Sequence, residues 1–551
     1  MRKELGIMVL AVMILLGTGW SQAPDVMIIP PVVDGQMLGV LENTIMGDTT
    51  ATGERVNPNR IYQLQRGAVY FMNGPINTRG YHLQLVAPDD DPANPVAPPV
   101  IAPGLREDGS STGQLLQAEG DVTLKNLYII PMTPTGAQKW NMMRINKDSV
   151  RVVLDNCNYE MCSGLGLNIR SQWTKVYITN CHYRNMVNQG GLYNGRSLEF
   201  SENPVDTLVM INNTYFNGNS FFFQIRLNLV NFARIEHNTI VNTVKWPFQW
   251  SWQTNAIFSN NLFYNAHSYG EAASDLPGQD FDGNVFGIIN VDTLTIDLLD
   301  RFGGTEADRR IKVNNNNWFY SSEVENYWAS LDTVEAEPFM NVRTQAMFDD
   351  DASYPFLEEN NTMNMDPGFL EFVNESSANL VSWMMDRRSG ADASLWNWDP
   401  DGDNFGVLLW PLPENLSYST DSPLFTGAEG GFPVGDLNWF PDKKAEWETY
   451  ITSVKFEKPE TLPSAYELEQ NYPNPFNPTT TIRYHLHKSG TVELRVFDIL
   501  GRQVQTLVNA QQIAGTYTAE FSGHDLANGV YICSLLVNGQ QVSNIRMLLL
   551  K

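Results

Sequence analysis

The sequence predicts an all-β protein in which parallel strands stack into coils, followed by a small antiparallel β-sandwich at the C-terminal end. A strand-like unit that ends in asparagine recurs between residues 122 and 320. Short alternating segments separated by turn residues fill residues 465–551. The chain has 551 residues, of which 42% are apolar, so it exceeds one ordinary domain and can bury a large core.

The recurring unit consists of alternating apolar residues, then asparagine, then an aromatic or apolar residue. Its copies are VTLKNLYI (122–129), RVVLDNCNY (151–159), VYITNCHY (176–183), VMINNTYF (209–216), RIEHNTIV (234–241), IFSNNLFY (257–264) and IKVNNNNWFY (311–320). The anchoring asparagines are Asn126, Asn156, Asn180, Asn213, Asn238, Asn261 and Asn317. The first six are 30, 24, 33, 25 and 23 residues apart, and the last gap of 56 fits two turns. Such periods indicate a repeat architecture, and alternation with period two identifies strands.

Strands of one unit cannot bury their apolar face alone, so we expect successive coils to pair at about 4.8 Å. The asparagines then form a ladder, because each side-chain amide both donates and accepts hydrogen bonds. This combination resembles the right-handed parallel β-helix of pectate-lyase-like proteins. The resemblance implies activity on a polysaccharide, with calcium neutralising a uronic acid and an arginine or lysine acting as base.

Three motifs near the C-terminal end occur in a fixed order. They are NYPNPFNP (471–478), VELRVFDILGRQV (492–504) and ANGVYICSLL (527–536). Together they resemble the type A C-terminal sorting domain of the bacterial type IX secretion system, from about Leu462 to Lys551. The resemblance implies a small immunoglobulin-like sandwich, contact with the secretion machinery, and passage through the periplasm of a Gram-negative bacterium to its outer-membrane surface or beyond.

The N-terminal end has the order of residues found in a secretory signal peptide. Arg2 and Lys3 precede an apolar run, Ile7 to Leu16, and small residues follow up to Ala23. The run is too short to span a bilayer, and no other segment predicts a transmembrane helix. The expected organisation is a signal peptide (1–23), a β-helix domain (24–451), a linker (452–464) and a sorting domain (465–551). Within the β-helix domain we expect an N-terminal cap (24–120), regular coils (121–320) and irregular closing coils (321–451).

The net charge of −26 argues against a nucleic-acid partner. Charge is unevenly spread, because residues 121–270 hold 12 Lys+Arg and 8 Asp+Glu, a net of +4, which leaves −30 for the remainder. An acidic protein that keeps one segment basic can reserve that segment for an anion. The alternative is that exposed strands simply carry lysine and arginine.

A second pattern follows the asparagine units and suggests a binding face. Its copies are LNIRS (167–171), YNGRS (193–197), FQIRL (223–227) and FQWSW (248–252). They predict an amide column of Asn168, Asn194, Gln224 and Gln249, and an arginine column of Arg170, Arg196 and Arg226. Like charges on neighbouring strands repel, so the arginine column does not stabilise the sheet unless anions lie between the arginines. Such anions are either the protein's own carboxylates, such as Glu199 or Glu160, or the carboxylates or sulfates of a ligand. The remaining alternative is that the arginines extend separately into solvent.

The coil after these arginines is aromatic at every second position, with Trp246, Phe248, Trp250 and Trp252. Such a strip either packs in the core or is exposed and stacks on sugar rings. The predicted polysaccharide-binding set therefore comprises Asn168, Arg170, Asn194, Arg196, Gln224, Arg226, Trp250 and Trp252. The catalytic residues stay open, although the family resemblance allows one of the three arginines as the base.

Asp399, Asp401 and Asp403 alternate as carboxylates do in calcium loops, so they predict a partial calcium site. The alternative is a solvated acidic turn, because Trp410 stands where a full loop would need glutamate. Cys157, Cys162 and Cys181 predict either one disulfide bridge or buried free thiols.

Two functions remain open from the sequence. The first is an exported protein that binds an anionic polysaccharide and cleaves it as a lyase or glycoside hydrolase. The second is a non-catalytic surface adhesin or structural protein. Loop walls formed by residues 185–205 and 265–310 would favour the enzyme, and an open flat face would favour adhesion.

Overall fold

Three parallel sheets surround one interior, and each coil contributes a strand to each sheet in turn. A computed structural model gives the coordinates. The residues that the structure describes are 25–188, 191–226, 228–250, 252–270, 286–331, 338–369, 373–391, 396–400, 402, 406, 408–453, 466–486, 490–512, 515–524 and 526–551. The predicted signal peptide lies outside them, as does most of the predicted linker.

The eleven-stranded sheet comprises β1 (Val26–Ile29), β2 (Ile61–Leu64), β5 (Leu83–Val86), β8 (Val122–Lys125), β11 (Arg151–Asp155), β14 (Thr174–Thr179), β17 (Val205–Ile211), β20 (Val230–Glu236), β23 (Asn255–Ser259), β25 (Arg310–Asn314) and β27 (Leu357–Asn360). The nine-stranded sheet comprises β3 (Val69–Met72), β6 (Val100–Pro103), β9 (Tyr128–Ile129), β12 (Asn158–Glu160), β15 (His182–Met186), β18 (Thr214–Gly218), β21 (Thr239–Thr243), β24 (Leu262–Tyr264) and β26 (Asn317–Phe319). The seven-stranded sheet comprises β4 (Ile76–Arg79), β7 (Leu116–Glu119), β10 (Asn141–Ile145), β13 (Leu165–Ile169), β16 (Arg196–Glu199), β19 (Phe223–Gln224) and β22 (Phe248–Gln249). All neighbouring strands in these sheets run parallel, which confirms the predicted fold class.

The interior is filled by side chains that stack in register from coil to coil. On the eleven-stranded sheet Val152 pairs with Val176, and Leu154 pairs with Ile178. These four side chains are buried. Each fully buried aliphatic side chain of this size contributes about 1.5–3 kcal/mol relative to an exposed one. Stacking of like residues therefore sets both the stability and the register of the coils.

Two adjacent columns form the corner between the eleven-stranded and nine-stranded sheets. The first column has φ between 50° and 60° at every step and consists of Asn126, Asn156, Asn180, Asn212, His237, Asn260 and Asn315. Asparagine tolerates this left-handed conformation better than most residues, because its short polar side chain can hydrogen-bond locally. A sharp corner with one residue in this conformation explains why asparagine recurs there.

The second column lies one residue further along the chain and forms a hydrogen-bonded ladder from Asn213 to Asn316. The earlier coils have no amide at this position, which is occupied there by Leu127, Cys157 and Cys181. Asn213 Nδ2 donates to Asn238 Oδ1 (2.9 Å), and Asn238 Nδ2 donates to Asn261 Oδ1 (2.9 Å). Asn261 Nδ2 then donates to Asn316 Oδ1 (2.9 Å).

The predicted ladder combined the two columns, because Asn126, Asn156 and Asn180 belong to the first. Asn156 Nδ2 still donates to Asn126 Oδ1 (2.7 Å), so that step of the predicted ladder is confirmed, whereas Asn180 Nδ2 donates to Asp155 Oδ1 (2.9 Å). The last member of the predicted ladder was wrong by one position, since Asn317 begins β26 and Asn316 occupies the ladder.

The outer side of the nine-stranded sheet is covered by the segment after residue 396. Asp436 N donates to Thr239 Oγ1 (2.8 Å), and Trp439 Nε1 donates to Thr214 Oγ1 (2.9 Å). A Cβ atom on Gly435 would lie 2.5 Å from Thr239 Oγ1, so this close approach requires glycine. The nine-stranded sheet is therefore closed to large ligands in this region.

The helices lie at the N-terminal end of the β-helix and in the later part of the chain. They are α1 (Val40–Gly47), α2 (Ile296–Phe302), α3 (Ser322–Ala329), α4 (Val342–Phe348), α5 (Val373–Ser389) and α6 (Pro441–Ser453). Short 3-10 helices occur at Glu306–Asp308, Pro423–Thr426, Glu429–Gly431 and Leu437–Trp439. None of the described helices has the length and apolar character needed to cross a membrane.

The C-terminal strands form two antiparallel sheets around a separate apolar core. One sheet contains β28 (Glu467–Leu468), β29 (Thr479–Leu486) and β32 (Gly515–Ser522). The other contains β30 (Gly490–Asp498), β31 (Gln503–Gln512), β33 (Gly529–Val537) and β34 (Gln540–Leu549). Buried side chains from both sheets share this core, among them Ile482, Leu494 and Val496.

The chain divides into two compact units. One comprises Met1–Thr293, Arg310–Asp350 and Leu357–Tyr450, and the other comprises Leu294–Arg309, Asp351–Phe356 and Ile451–Lys551. The four cysteines are buried free thiols, which for Cys157, Cys162 and Cys181 is the second of the two predicted alternatives. Burial raises the pKa of the Cys162 and Cys533 thiols to about 12, so both are neutral at physiological pH.

Replacing Asn238 with alanine tests the ladder. Asn238 is fully buried, and its Nδ2 also donates to Met210 O (3.0 Å). Asn238→Ala leaves the amides of Asn213 and Asn261 without this partner, so we expect the free energy of unfolding to fall by about 3 kcal/mol in chemical denaturation. The matched control is Asn94→Ala, at an exposed loop residue bonded to Asp91, which should change it by less than about 0.5 kcal/mol. Equal effects of the two substitutions would contradict the role of the ladder.

Candidate functional site

One polar residue from every strand of the seven-stranded sheet lines up across its outer face. The register pairs Asn77 with Gln117, Gln117 with Arg144, and so on along the sheet. We call this set the polar column, and its members are Asn77, Gln117, Arg144, Asn168, Glu199, Gln224 and Gln249. Neighbouring members are separated by one strand spacing, about 4.8 Å.

The predicted amide column is correct at three of its four positions. Asn168, Gln224 and Gln249 belong to the polar column, but Glu199 takes the place predicted for Asn194. Asn194 lies two residues before β16 and is half-buried. The error arose because β16 begins later in its coil than the common spacing predicts.

The predicted arginine column is wrong, because the three arginines do not occupy one register position. Arg196 pairs with Leu165, five residues before Arg170. Its Nη1 lies 2.6 Å from Glu199 Oε2, and its Nε donates to Tyr193 O (2.7 Å). Arg196 therefore has a carboxylate of its own.

Arg226 lies two residues beyond Gln224 and also contacts Glu199. Arg226 Nη2 is 3.4 Å from Glu199 Oε1 and 3.9 Å from Glu202 Oε1. Its side chain is 41% exposed, whereas that of Glu199 is only 6% exposed. Glu199 thus serves as an internal counter-ion for two arginines, which is one of the alternatives that the sequence left open. Glu160, the other acid named there, lies on the nine-stranded sheet.

Arg144 and Arg170 are different, because neither forms an ion pair with a carboxylate among the described residues. Arg144 is half-buried, and its Nε is buried without a hydrogen-bond partner. Burial lowers the pKa of the Arg144 guanidinium, and the positive charge of Arg170 lowers it further. Within the described ranges, this face therefore carries two neighbouring guanidinium groups that have no counter-ion.

Sequence reasoning missed Arg144, although a signal for it existed. Arg144 stands 12 residues before Asn156, and Asn168 stands 12 residues before Asn180. Counting back from the following corner asparagine therefore aligns the two residues, as the register does. Counting forward fails, because the connection between Ile129 and Asn141 is longer than its counterparts.

An exposed tryptophan lies directly before β10, the strand that carries Arg144. Trp140 is 50% exposed, and no other tryptophan within the described ranges is as exposed. A Cβ atom on Gly164 would lie 2.6 Å from Cδ2 of the Trp140 ring, so glycine on the next coil lets the indole lie against the backbone. No periodic signal in the sequence predicts this residue.

The aromatic strip packs in the core, which was the first of its two alternatives. Trp250 is 2% exposed and Trp252 is 7% exposed. The Trp250 ring contacts the rings of Phe223 (5.2 Å between centroids) and Phe258 (6.3 Å). The predicted contact of these tryptophans with a sugar is not supported, because their rings are buried.

A second polar cluster is buried beneath the segment that covers the nine-stranded sheet. We call it the Arg184 cluster, and its members are Tyr128, Glu160, His182, Arg184 and Glu414. Arg184 Nη2 lies 3.0 Å from Glu160 Oε2, Arg184 Nη1 also contacts Glu414, and His182 Nε2 lies 2.6 Å from Glu414 Oε1. Burial alone would raise the pKa of Glu414, but the charges of Arg184 and His182 outweigh it and lower the pKa to about 2. These contacts attach the covering segment to the β-helix.

The calcium prediction falls mostly outside the described residues, which omit Asp401 and Asp403. Asp399 Oδ1 accepts a hydrogen bond from Gly402 N (2.9 Å). Calcium binding at this turn therefore stays a prediction. The described ranges also omit parts of the two loops that were to distinguish an enzyme from an adhesin, namely 189–190 and 271–285.

Comparison with known families identifies the C-terminal part of the chain. The family model described as "Secretion system C-terminal sorting domain" matches residues 470–548. This confirms the resemblance carried by the three C-terminal motifs, and the protein is secreted through the type IX system to the cell surface or the extracellular space. A search of curated proteins finds no match to the chain.

Replacing Glu414 with glutamine tests the Arg184 cluster. We expect Glu414→Gln to lower the free energy of unfolding at pH 7 by roughly 3–5 kcal/mol, because Arg184 and His182 lose a buried counter-ion. The folded-state pKa of Glu414 lies below its ordinary value of 4.5, so the stability that its charge contributes is present above pH 4.5 and is lost as the pH falls toward 2. The difference between the two proteins should therefore shrink over that range.

Chemical denaturation at several pH values measures this difference. The matched control is Glu446→Gln, because Glu446 forms an exposed ion pair with Lys443 and should contribute less than about 1 kcal/mol. A constant difference between wild type and Glu414→Gln from pH 7 to pH 2 would contradict the assignment.

Proposed function

We propose that this exported protein binds an anionic polysaccharide on the outer face of its seven-stranded sheet. The observation that carries the proposal is the pair of guanidinium groups, Arg144 and Arg170, that lack a carboxylate partner among the described residues. Arg226 and the accessible amides of the polar column, Asn77, Gln117 and Gln249, complete the proposed site.

The energetics of the two arginines support an external anion. Like charges on neighbouring strands destabilise a sheet, and a half-buried guanidinium also loses hydration. Both costs are relieved when a carboxylate or sulfate lies between the two groups, because a guanidinium donates two parallel hydrogen bonds to such an anion. Two neighbouring arginines of this face already share a carboxylate, because Arg196 contacts Oε2 of Glu199 and Arg226 contacts its Oε1.

The accessible amides of the polar column suit the hydroxyl groups of a sugar, because each amide both donates and accepts. Asn77 is exposed and Gln117 and Gln249 are half-buried, whereas Asn168 and Gln224 are buried and support the face from beneath. The accessible groups on successive strands, Asn77, Gln117 and Arg144, favour a linear ligand that lies along this part of the sheet.

Amides of the polar column are held in place by other side chains. Gln117 Nε2 donates to Gln114 Oε1 (2.6 Å), and Ser201 Oγ donates to Asn168 Oδ1 (2.9 Å). Restricted amides lose less conformational entropy when a ligand binds.

Binding is better supported than cleavage on this face. The carboxylate of the polar column, Glu199, is held by two arginines and its side chain is only 6% exposed, which does not favour its use as a free acid or base. If the protein also cleaves the glycan, it acts as a lyase or as a glycoside hydrolase. The alternative is a non-catalytic surface adhesin or structural protein.

Removing the charges of Arg144 and Arg170 tests the proposal. We expect Arg144→Ala and Arg170→Ala each to weaken binding of an acidic polysaccharide at least tenfold, because each loses a charged hydrogen bond worth about 1.5–3 kcal/mol. Isothermal titration with polygalacturonate and with a sulfated glycan measures the affinity. The charge-matched control is Lys312→Ala on the exposed face of the eleven-stranded sheet, which should bind as the wild type does.

Incubation of the same glycans with the protein separates the remaining possibilities. Unsaturated products would identify a lyase, new reducing ends a hydrolase, and neither product the non-catalytic alternative. Unchanged affinity in both arginine variants would contradict binding on this face.

Replacing Trp140 tests whether the exposed indole belongs to the site. We expect Trp140→Ala to weaken binding several-fold through loss of stacking on a sugar ring, while the stability stays within about 1 kcal/mol of the wild type. Binding of glycan quenches or shifts the fluorescence of an exposed tryptophan, so the spectral change should disappear in this variant. A spectral change of wild-type size would place Trp140 outside the site.

A further inference from the structure

The three sorting-domain motifs meet at one end of the C-terminal sandwich, although they are far apart in sequence. Asp498, in the second motif, pairs with Tyr531 of the third. Gly529 of the third motif pairs with Leu549 on β34. Phe476 of the first motif donates its N–H to Leu548 O (2.9 Å). Residues from all three motifs and from the end of β34 are therefore neighbours.

The same end exposes large apolar side chains. Within the described residues of the sandwich, the exposed large apolar side chains are Tyr472 (82%), Ile499 (73%), Leu500 (73%), Val530 (40%) and Leu550 (49%). We call these five residues the apolar end. Each lies in, or next to, the segments that the motifs bring together.

The turn that carries Ile499 and Leu500 is held in one conformation. Asp498 Oδ1 accepts from Leu500 N (2.9 Å) and Arg502 N (3.0 Å), and Asp498 Oδ2 accepts from Arg502 Nε (2.7 Å). Gly501 supplies the positive φ of 77° that the turn requires. The backbone N–H of Arg502 and the other donors lower the pKa of the Asp498 carboxyl. This bracing fixes the turn but does not require apolar side chains at positions 499 and 500.

We propose that the apolar end is the surface by which the sorting domain docks to the type IX secretion machinery, in an apolar pocket of one of its proteins. The family match assigns this domain to sorting, so a component of that machinery is the occupant. Apolar side chains held rigidly in water are characteristic of binding surfaces, because little conformational entropy is lost on docking. The inference is independent of the function proposed for the β-helix.

The test uses the full chain in a bacterium that has a type IX secretion system. The variant Ile499→Ser with Leu500→Ser removes two members of the apolar end. The control, Gln540→Ser with Gln541→Ser, changes two exposed residues at the opposite end of the same sheet. We expect the surface and medium fraction of the first variant to fall at least tenfold and the control to be exported like the wild type.

Two further measurements keep the outcome decisive. The thermal unfolding midpoints of the purified variants should match that of the wild type within about 2 °C, since the altered side chains are exposed. If the double variant is less stable than this, Tyr472→Ser replaces it and should show the same export defect. Export of the folded variants at the wild-type level would overturn the proposal. If the wild-type protein binds phosphatidylethanolamine–phosphatidylglycerol vesicles and the double variant does not, the proposal is overturned, because the apolar end then binds a lipid surface.

Discussion

The hydrogen-bonded corner between the eleven-stranded and nine-stranded sheets is the constraint on which the rest of the β-helix depends. One residue per coil adopts a left-handed conformation, and the next residue holds its neighbours through Asn213, Asn238, Asn261 and Asn316. In these four coils the side-chain amides act together with the stacked interior side chains to fix the register, and the register decides which residues meet on the outer faces. The polar column is a consequence of that register rather than of any local motif.

The arginines of the nine-stranded sheet and those of the seven-stranded sheet differ in how their charges are neutralised. In the Arg184 cluster, burial is compensated by nearby carboxylates, and the covering segment is held to the sheet. On the seven-stranded sheet, Glu199 compensates Arg196 and Arg226, whereas Arg144 and Arg170 stay without a carboxylate among the described residues. The Arg184 cluster is therefore a closed structural contact, whereas the face that carries Arg144 and Arg170 is complementary to an anion.

Periodicity in the sequence was sufficient to predict the parallel coils, the corner asparagines and the C-terminal sandwich, because each of these recurs or matches a specific motif. It failed where connections differ in length. Arg144 was missed for this reason, and Asn194 and Arg196 were placed in columns to which they do not belong. The Arg184 cluster joins residues that are 230 positions apart in sequence, Arg184 and Glu414, so no local pattern predicts it.

The most direct test of anion binding on the seven-stranded sheet is a crystal structure of the protein with a bound acidic oligosaccharide. We expect a carboxylate or sulfate of the ligand to lie between the guanidinium groups of Arg144 and Arg170, with sugar hydroxyls against the accessible amides of Asn77 and Gln117. A ligand bound on another face, or an Asp or Glu of the protein found between these two arginines, would contradict this expectation.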